Sequence, residues 1–203
     1  MRGHLLFGLA LLSAGCDPAV RGRIDSKDPD ERRTAMANSV GTDDKTWVGI
    51  FLKALKDEDP LVRGQAVRCL GRTFRRDLAD TLLPMLTGEG RDPSAQVRVD
   101  LCHAVGQLGN PKAIAVLLGV MERDPEMDVR KAACRQVGRF RAKEIYEAWA
   151  RGIDDPDPGF SHLCSQHLRF ATGRRDAPRS RAEWETWIAA NPDAWKRADT
   201  KLR

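Results

Sequence analysis

The sequence predicts an all-α solenoid of stacked helical hairpins, closed by a C-terminal capping helix. Three observations carry that reading. Asp-Pro pairs recur at Asp28, Asp59, Asp92, Asp124 and Asp157, spaced by 31, 33, 32 and 33 residues. Apolar residues after these pairs fall at helical offsets rather than in alternation. The chain is rich in Ala, Leu, Val and Arg but only 6% aromatic, a mix that suits helices and poorly matches a sheet.

Each Asp-Pro pair reads as a helix start, because Asp accepts hydrogen bonds from the free N–H groups of a first turn and Pro fits the first helical position. Val129, Ala132, Ala133, Gln136, Val137 and Phe140 then fall at offsets 0, 3, 4, 7, 8 and 11. Val97 to Leu108 and Val62 to Thr73 repeat those offsets, so one stripe of each helix faces a core. Gly71, Gly106 and Gly138 all stand at offset nine. Glycine inside a helix costs about 1 kcal/mol relative to alanine, so its recurrence marks a helix end or a close helix approach. A second apolar helix follows in each unit, over 43–56, 77–86, 111–121 and 142–153. Its packing faces include Trp47, Phe51 and Leu55, then Leu78, Leu82 and Leu86, then Ile114, Leu117, Leu118 and Met121. A hairpin this small cannot bury both faces alone, so neighbours must stack.

Asp59-Pro60-Leu61-Val62-Arg63 with Ala66-Val67-Arg68-Cys69-Leu70-Gly71 resembles a HEAT repeat, as does the unit at Asp124. The resemblance covers 28–172, four to five units. The first copy is degenerate, with Arg32 and Arg33 where Val-Arg is expected, and the last has Phe160 early and no Gly at offset nine. Atypical ends are what a capped array predicts. The resemblance implies that Arg63, Arg98 and Arg130 pair with acids in an inter-repeat ladder. The alternative is a functional basic stripe, but Asp59, Asp92, Asp124 and Asp128 lie close enough in sequence to neutralise it.

Residues 1–15 read as an export signal: Arg2 is followed by an apolar run from Leu5 to Leu12 and small residues up to Cys16. The run is about half of the ~20 residues a spanning helix requires. Ser13-Ala14-Gly15-Cys16 resembles the bacterial lipobox, which implies acylation of Cys16 and a palmitate-type anchor facing the periplasm. More than one acyl chain, at ~0.8 kcal/mol per buried CH₂, holds stably where one does not. Residues 16–27, polar and marked by Pro18 and Gly22, then serve as a tether.

Residues 173–203 read as a linker and a Trp-containing cap, with Trp184, Trp187 and Ile188 on one helical face. Trp184 and Trp187 are expected to pack on the last hairpin; the alternative is that they form an exposed partner site. The net charge of +5 is concentrated in this segment, which holds eight Lys or Arg against five Asp or Glu. That excess is far below a phosphate-neutralising surface, so no nucleic acid is expected.

Cys69, Cys102, Cys134 and Cys164 follow one another at 33, 32 and 30 residues. Packed helices stand ~8–10 Å apart and a disulfide needs Cα atoms within ~7 Å, so these cysteines are expected to be small buried residues instead. His162, Cys164 and His167 are the nearest approach to a metal cluster, followed by Cys102 with His103, and neither puts enough ligands on one face. No catalytic motif occurs, so no catalytic residue, cofactor, metal or small-molecule substrate is expected. The reading is a non-enzymatic, membrane-tethered scaffold for an unidentified protein partner in the cell envelope. Second-helix residues such as Lys45, Lys53, Lys112, Lys143, Glu144 and Glu147 are candidate contacts. A self-assembling envelope protein is the first alternative, and an enzyme or accessory like the HEAT-like lyases the second.

Overall fold

The computed structural model describes residues 23–37, 45–174, 176 and 178–195. The expected export signal, Cys16 and most of the expected tether lie outside the described residues. Helices form four consecutive hairpins: α1 (Pro29–Ala37) with α2 (Lys45–Ala54), α3 (Pro60–Gly71) with α4 (Ala79–Leu82), α5 (Ala95–Leu108) with α6 (Ala113–Arg123), and α7 (Met127–Val137) with α8 (Lys143–Gly152), followed by α9 (Pro158–Thr172) and α10 (Arg181–Ala190). The first helices pack in series, α1 on α3, α3 on α5, α5 on α7 and α7 on α9, while α2, α6 and α8 each pack on the first helix that follows. One continuous apolar core runs from Met36 to Ile188. The fold is an all-α solenoid.

The helix starts divide into two kinds. Asp59 caps α3, its Oδ1 accepting from the N–H groups of Leu61 at 2.7 Å and Val62 at 3.3 Å. Asp157 caps α9, accepting from the Phe160 N–H at 2.6 Å. Asp92 and Asp124 cap nothing: α5 is capped by Ser94, whose Oγ accepts from Val97, and α7 begins after Glu126. In these two units the Asp-Pro pair sits two residues further upstream, where its Asp does a different job.

The second element of unit two is not the regular helix expected over 77–86. It is a 3₁₀ turn (Arg76–Leu78), the short α4 and another 3₁₀ turn (Leu83–Leu86). Pro84 explains the break, since it has no N–H to donate and its ring crowds the preceding turn. Leu78, Leu82 and Leu86 are buried all the same.

The recurring glycines mark close approaches. A Cβ on Gly71 would stand 2.8 Å from Ala104 Cα, and one on Gly106 would stand 2.9 Å from Gln136 Cβ, so α3, α5 and α7 touch through surfaces that leave no room for a methyl group. Gly109 and Gly173 adopt φ of +64° and +66° and end α5 and α9 in the left-handed conformation that glycine adopts without strain.

The segment expected to cap the array carries the helix that follows α9 in the chain and packs on the second layer. Ser180 and Glu183 brace its start, Ser180 Oγ accepting from the Glu183 N–H and Glu183 Oε2 accepting from the Arg179 N–H. α10 lies against α8, with Trp184 fully buried and Ile188 nearly so.

Candidate interaction surface

A buried polar ladder aligns the array. Arg32, Arg63, Arg98 and Arg130 each reach from the first helix of one unit to an Asp at the head of the next: Asp57, Asp92, Asp124 and Asp155. The first three pairs are bidentate, the guanidinium Nε and one terminal nitrogen donating to the two carboxylate oxygens at 2.8–3.0 Å. The other terminal nitrogen donates to main-chain carbonyls at the head of its own unit: Ser26 and Lys27, Asp57 and Glu58, and Asp92 and Pro93. Each ladder Asp also accepts from the N–H two residues on, at Asp59, Ser94, Glu126 and Asp157. Burial pushes the Asp57 carboxyl up, but the hydrogen bonds from Arg32 and the Asp59 N–H outweigh it and hold it below the usual carboxylate range.

Arg63, Arg98 and Arg130 are thus consumed in packing and form no basic stripe. Their acids are Asp92, Asp124 and Asp155, while Asp59 and Asp128 take no part in the ladder. The first unit is also more regular than expected, because Arg32 holds the ladder position and Arg33 pairs with Asp30 instead. At the other end Ser161 stands where the next Arg would be and donates to the Ile153 carbonyl, so the ladder stops.

A second polar row lies between the first helices. Arg68 bridges Gln65 of its own helix and buried Asp100 of α5, at 2.6 Å to the carboxylate. Burial still raises the Asp100 carboxyl, and the Arg68 charge opposes this only in part. Gln136 of α7 bonds His103 Nδ1 of α5 at 2.8 Å. Asp100 and Gln136, polar members of the apolar stripes, are therefore inter-repeat connectors, and Gln65 holds the Arg68 guanidinium that reaches across.

The four described cysteines are free and buried. Burial pushes the Cys102 thiol up to about 12, so its reactive thiolate is scarce at neutral pH. Cys134 and Cys164 are closer than repeat spacing implies, with sulfurs 3.8 Å apart. They are not equivalent positions: Cys134 lies four residues after Arg130 and Cys164 three after Ser161. His162 bonds Gln166, and the His167 ring stacks on Trp149 with centroids 5.0 Å apart. Among the described residues no three His, Cys, Asp or Glu side chains gather as metal ligands, and no helix is long and apolar enough to cross a membrane.

Trp184 has no exposed surface and meets Trp187 edge to face, with centroids 5.7 Å apart. Of the two tryptophans considered for partner binding, only Trp187, half-buried beneath Arg174, has surface to offer. Several candidate contacts on the second helices and their approaches are engaged with neighbours: Lys53 with Asp25, Lys112 with Asp80, and Lys143 with Glu147.

The HEAT-repeat family matches residues 17–91 and again 79–160. The chain belongs to the HEAT-repeat proteins. No curated protein is matched by it. As a HEAT-repeat array it is a helical scaffold of the kind that mediates protein interaction, and the ladder and the glycine contacts are what align its repeats.

What the sequence reading missed is a basic trough along α9, with Arg135 of α7 on its other side and a volume of about 920 Å³. A signal was present: from Pro158 to Arg175 the chain has no Asp or Glu, but carries His162, His167, Arg169 and Arg174.

Proposed function

We propose that this HEAT-repeat protein is a non-enzymatic scaffold tethered to a bacterial membrane through lipid on Cys16, and that it presents its array to a protein partner in the cell envelope. The observation that carries the tether is the apolar run from Leu5 to Leu12 leading into Ser13-Ala14-Gly15-Cys16. A polar stretch follows before the first hairpin, long enough to separate lipid from fold. Reliance on a solenoid surface for binding fits an array whose internal charges are largely committed to aligning its own repeats.

Metabolic labelling with radioactive palmitate tests the anchor. The full chain is expected to incorporate label and to fractionate with membranes, whereas Cys16→Ala loses both; label retained on Cys16→Ala would sink the tether. Crosslinking with mass spectrometry on intact envelopes tests the scaffold role. Recurrent crosslinks to a second protein support it, and crosslinks only between copies of this chain would replace it with self-assembly.

A further inference from the structure

The C-terminal end of the array is covered unevenly. α10 lies on α8 in the second layer, but in the first layer no helix among the described residues follows α9. Ser161 in place of a ladder Arg leaves no connector for one. The flank of α9 beside this gap carries Phe170, 79% exposed, and half-buried Leu163. Both line the trough, and the His167 ring, braced on Trp149, continues its floor.

The rim has one sign of charge. Arg135, Arg169 and Arg174 line it with His162, and no Asp or Glu does. Arg174 reaches Asp176 at 2.8 Å and lies over the Trp187 ring. Arg135 and Arg169 have no ion pair among the described residues, unlike the ladder arginines. Two unpaired guanidinium groups beside an exposed aromatic side chain make a surface ready for carboxylates that bring an apolar group with them.

The dimensions narrow the ligand. From His162 to its end at Thr172 the helix rises ~15 Å at ~1.5 Å per residue. An extended chain covers that length in about four or five residues at ~3.3 Å each. A compact metabolite would occupy only part of the trough. This cationic strip also stands at the opposite end of the array from the hairpin that follows the N-terminal segment, away from where lipid on Cys16 would hold the chain.

We propose that the trough along α9 docks an extended acidic segment of a partner protein, with carboxylates on Arg135 and Arg169 and one bulky apolar side chain against Phe170. This rests on the scaffold reading and gives it a surface and a partner chemistry.

The test uses the full-length chain with Cys16→Ser, so that no acyl group contributes. Its probe is a fluorescein-labelled Asp-Glu-Leu-Asp-Glu-Leu peptide followed by fluorescence anisotropy. Saturable binding is expected, weakened at least about tenfold by Arg135→Glu with Arg169→Glu and several-fold by Phe170→Ala. Arg91→Glu, at an exposed site elsewhere, should leave it unchanged, and far-ultraviolet circular dichroism confirms that each variant is folded. Absence of saturable binding, or binding indifferent to the Arg pair, overturns the proposal. So does Arg-dependent sedimentation with phosphatidylglycerol–phosphatidylcholine vesicles without peptide binding, which assigns the trough to lipid. Self-association lost in the Arg variants assigns it to a second copy. Envelope crosslinks to another protein that fall elsewhere on the array would refute the trough and leave the scaffold standing; absence of any crosslinked protein would remove the scaffold itself.

Discussion

The Arg98–Asp124 pair is the most deeply buried rung of the ladder, each side chain only 2% exposed. Arg98→Ala removes two charge-assisted hydrogen bonds to the carboxylate and two more to the carbonyls of Asp92 and Pro93. It leaves the Asp124 carboxylate buried with the Glu126 N–H as its remaining donor. Removing one member of a buried ion pair costs about 3–5 kcal/mol, mostly because the other charge is stranded. With a urea slope of ~2 kcal/mol/M, the unfolding midpoint should fall by ~2 M. Arg32→Ala removes a rung whose side chains are 12% and 14% exposed, and its cost should be nearer that of a charged hydrogen bond, about 1.5–3 kcal/mol. The double variant Arg98→Met with Asp124→Leu should recover much of the loss, since apolar packing can replace a buried pair. The assay is urea unfolding followed by circular dichroism and tryptophan fluorescence together, because a weakened central interface can make an array unfold in two parts and separate the two curves. An Arg98→Ala loss below about 1 kcal/mol, or a double variant losing the sum of the singles, would refute the account of the ladder as a buried, mutually dependent pair.

Gly71→Ala would place a methyl group 2.8 Å from Ala104 Cα and should destabilise by about 1–3 kcal/mol in thermal or urea unfolding. Gly49→Ala, exposed within α2 and with nothing within 4 Å, should gain up to about 1 kcal/mol; equal effects at the two sites would contradict the close approach of α3 and α5. Trp184→Ala should cost about 3–5 kcal/mol and Trp187→Ala clearly less, and a Trp184 variant as stable as wild type would put that ring outside the core. The depressed Asp57 carboxyl contributes stability that is fully present above its unfolded pKa, about 3.9, and is lost as the pH falls through its lower folded value. Asp57→Asn should therefore be less stable at neutral pH and show a flatter decline on acidification than wild type, as read from urea midpoints across the acid range; parallel declines would speak against it.

The all-α hairpin array was legible because helical periodicity and copy number reinforce each other: five noisy copies of one pattern are easier to read than one clean copy. The Asp-Pro pairs misled locally. Two positions stand two residues apart at each helix head, one binding the preceding unit's Arg and always Asp, the other starting the helix and held by Asp59, Ser94, Glu126 or Asp157, and the Asp-Pro pair falls on the first in two units and on the second in the other two. The better marker was the constant interval of six residues from Asp57 to Arg63, Asp92 to Arg98 and Asp124 to Arg130, which tracks the ladder itself. Pro84 was visible, yet burial of its neighbouring leucines preserved the packing face while the helix broke. Gly173 is the left-handed terminus of α9 and also opens the stretch that leads to α10, and a helix end and a linker look alike in sequence. The trough could not be read because it depends on Arg135 meeting residues some 30 positions later, although the absence of acids over 158–175 was there to be seen.

The way Asp92 is shared gives the array an unusual tolerance. Its carboxylate accepts Arg63 of the preceding unit, and its carbonyl accepts Arg98 of its own. Asp57 is shared in the same manner between Arg32 and Arg63. These two junctions therefore read the same short code on each side, whereas Arg130 donates to the Met121 carbonyl instead. Excising one whole unit, from Asp92 through Arg123, would present Arg63 with Asp124, an acid of the same kind at the same place. A change of copy number would thus keep a ladder rung at the new junction, whereas the Arg68–Asp100 contact would go with the excised unit; the ladder tolerates a change of length that the second polar row does not.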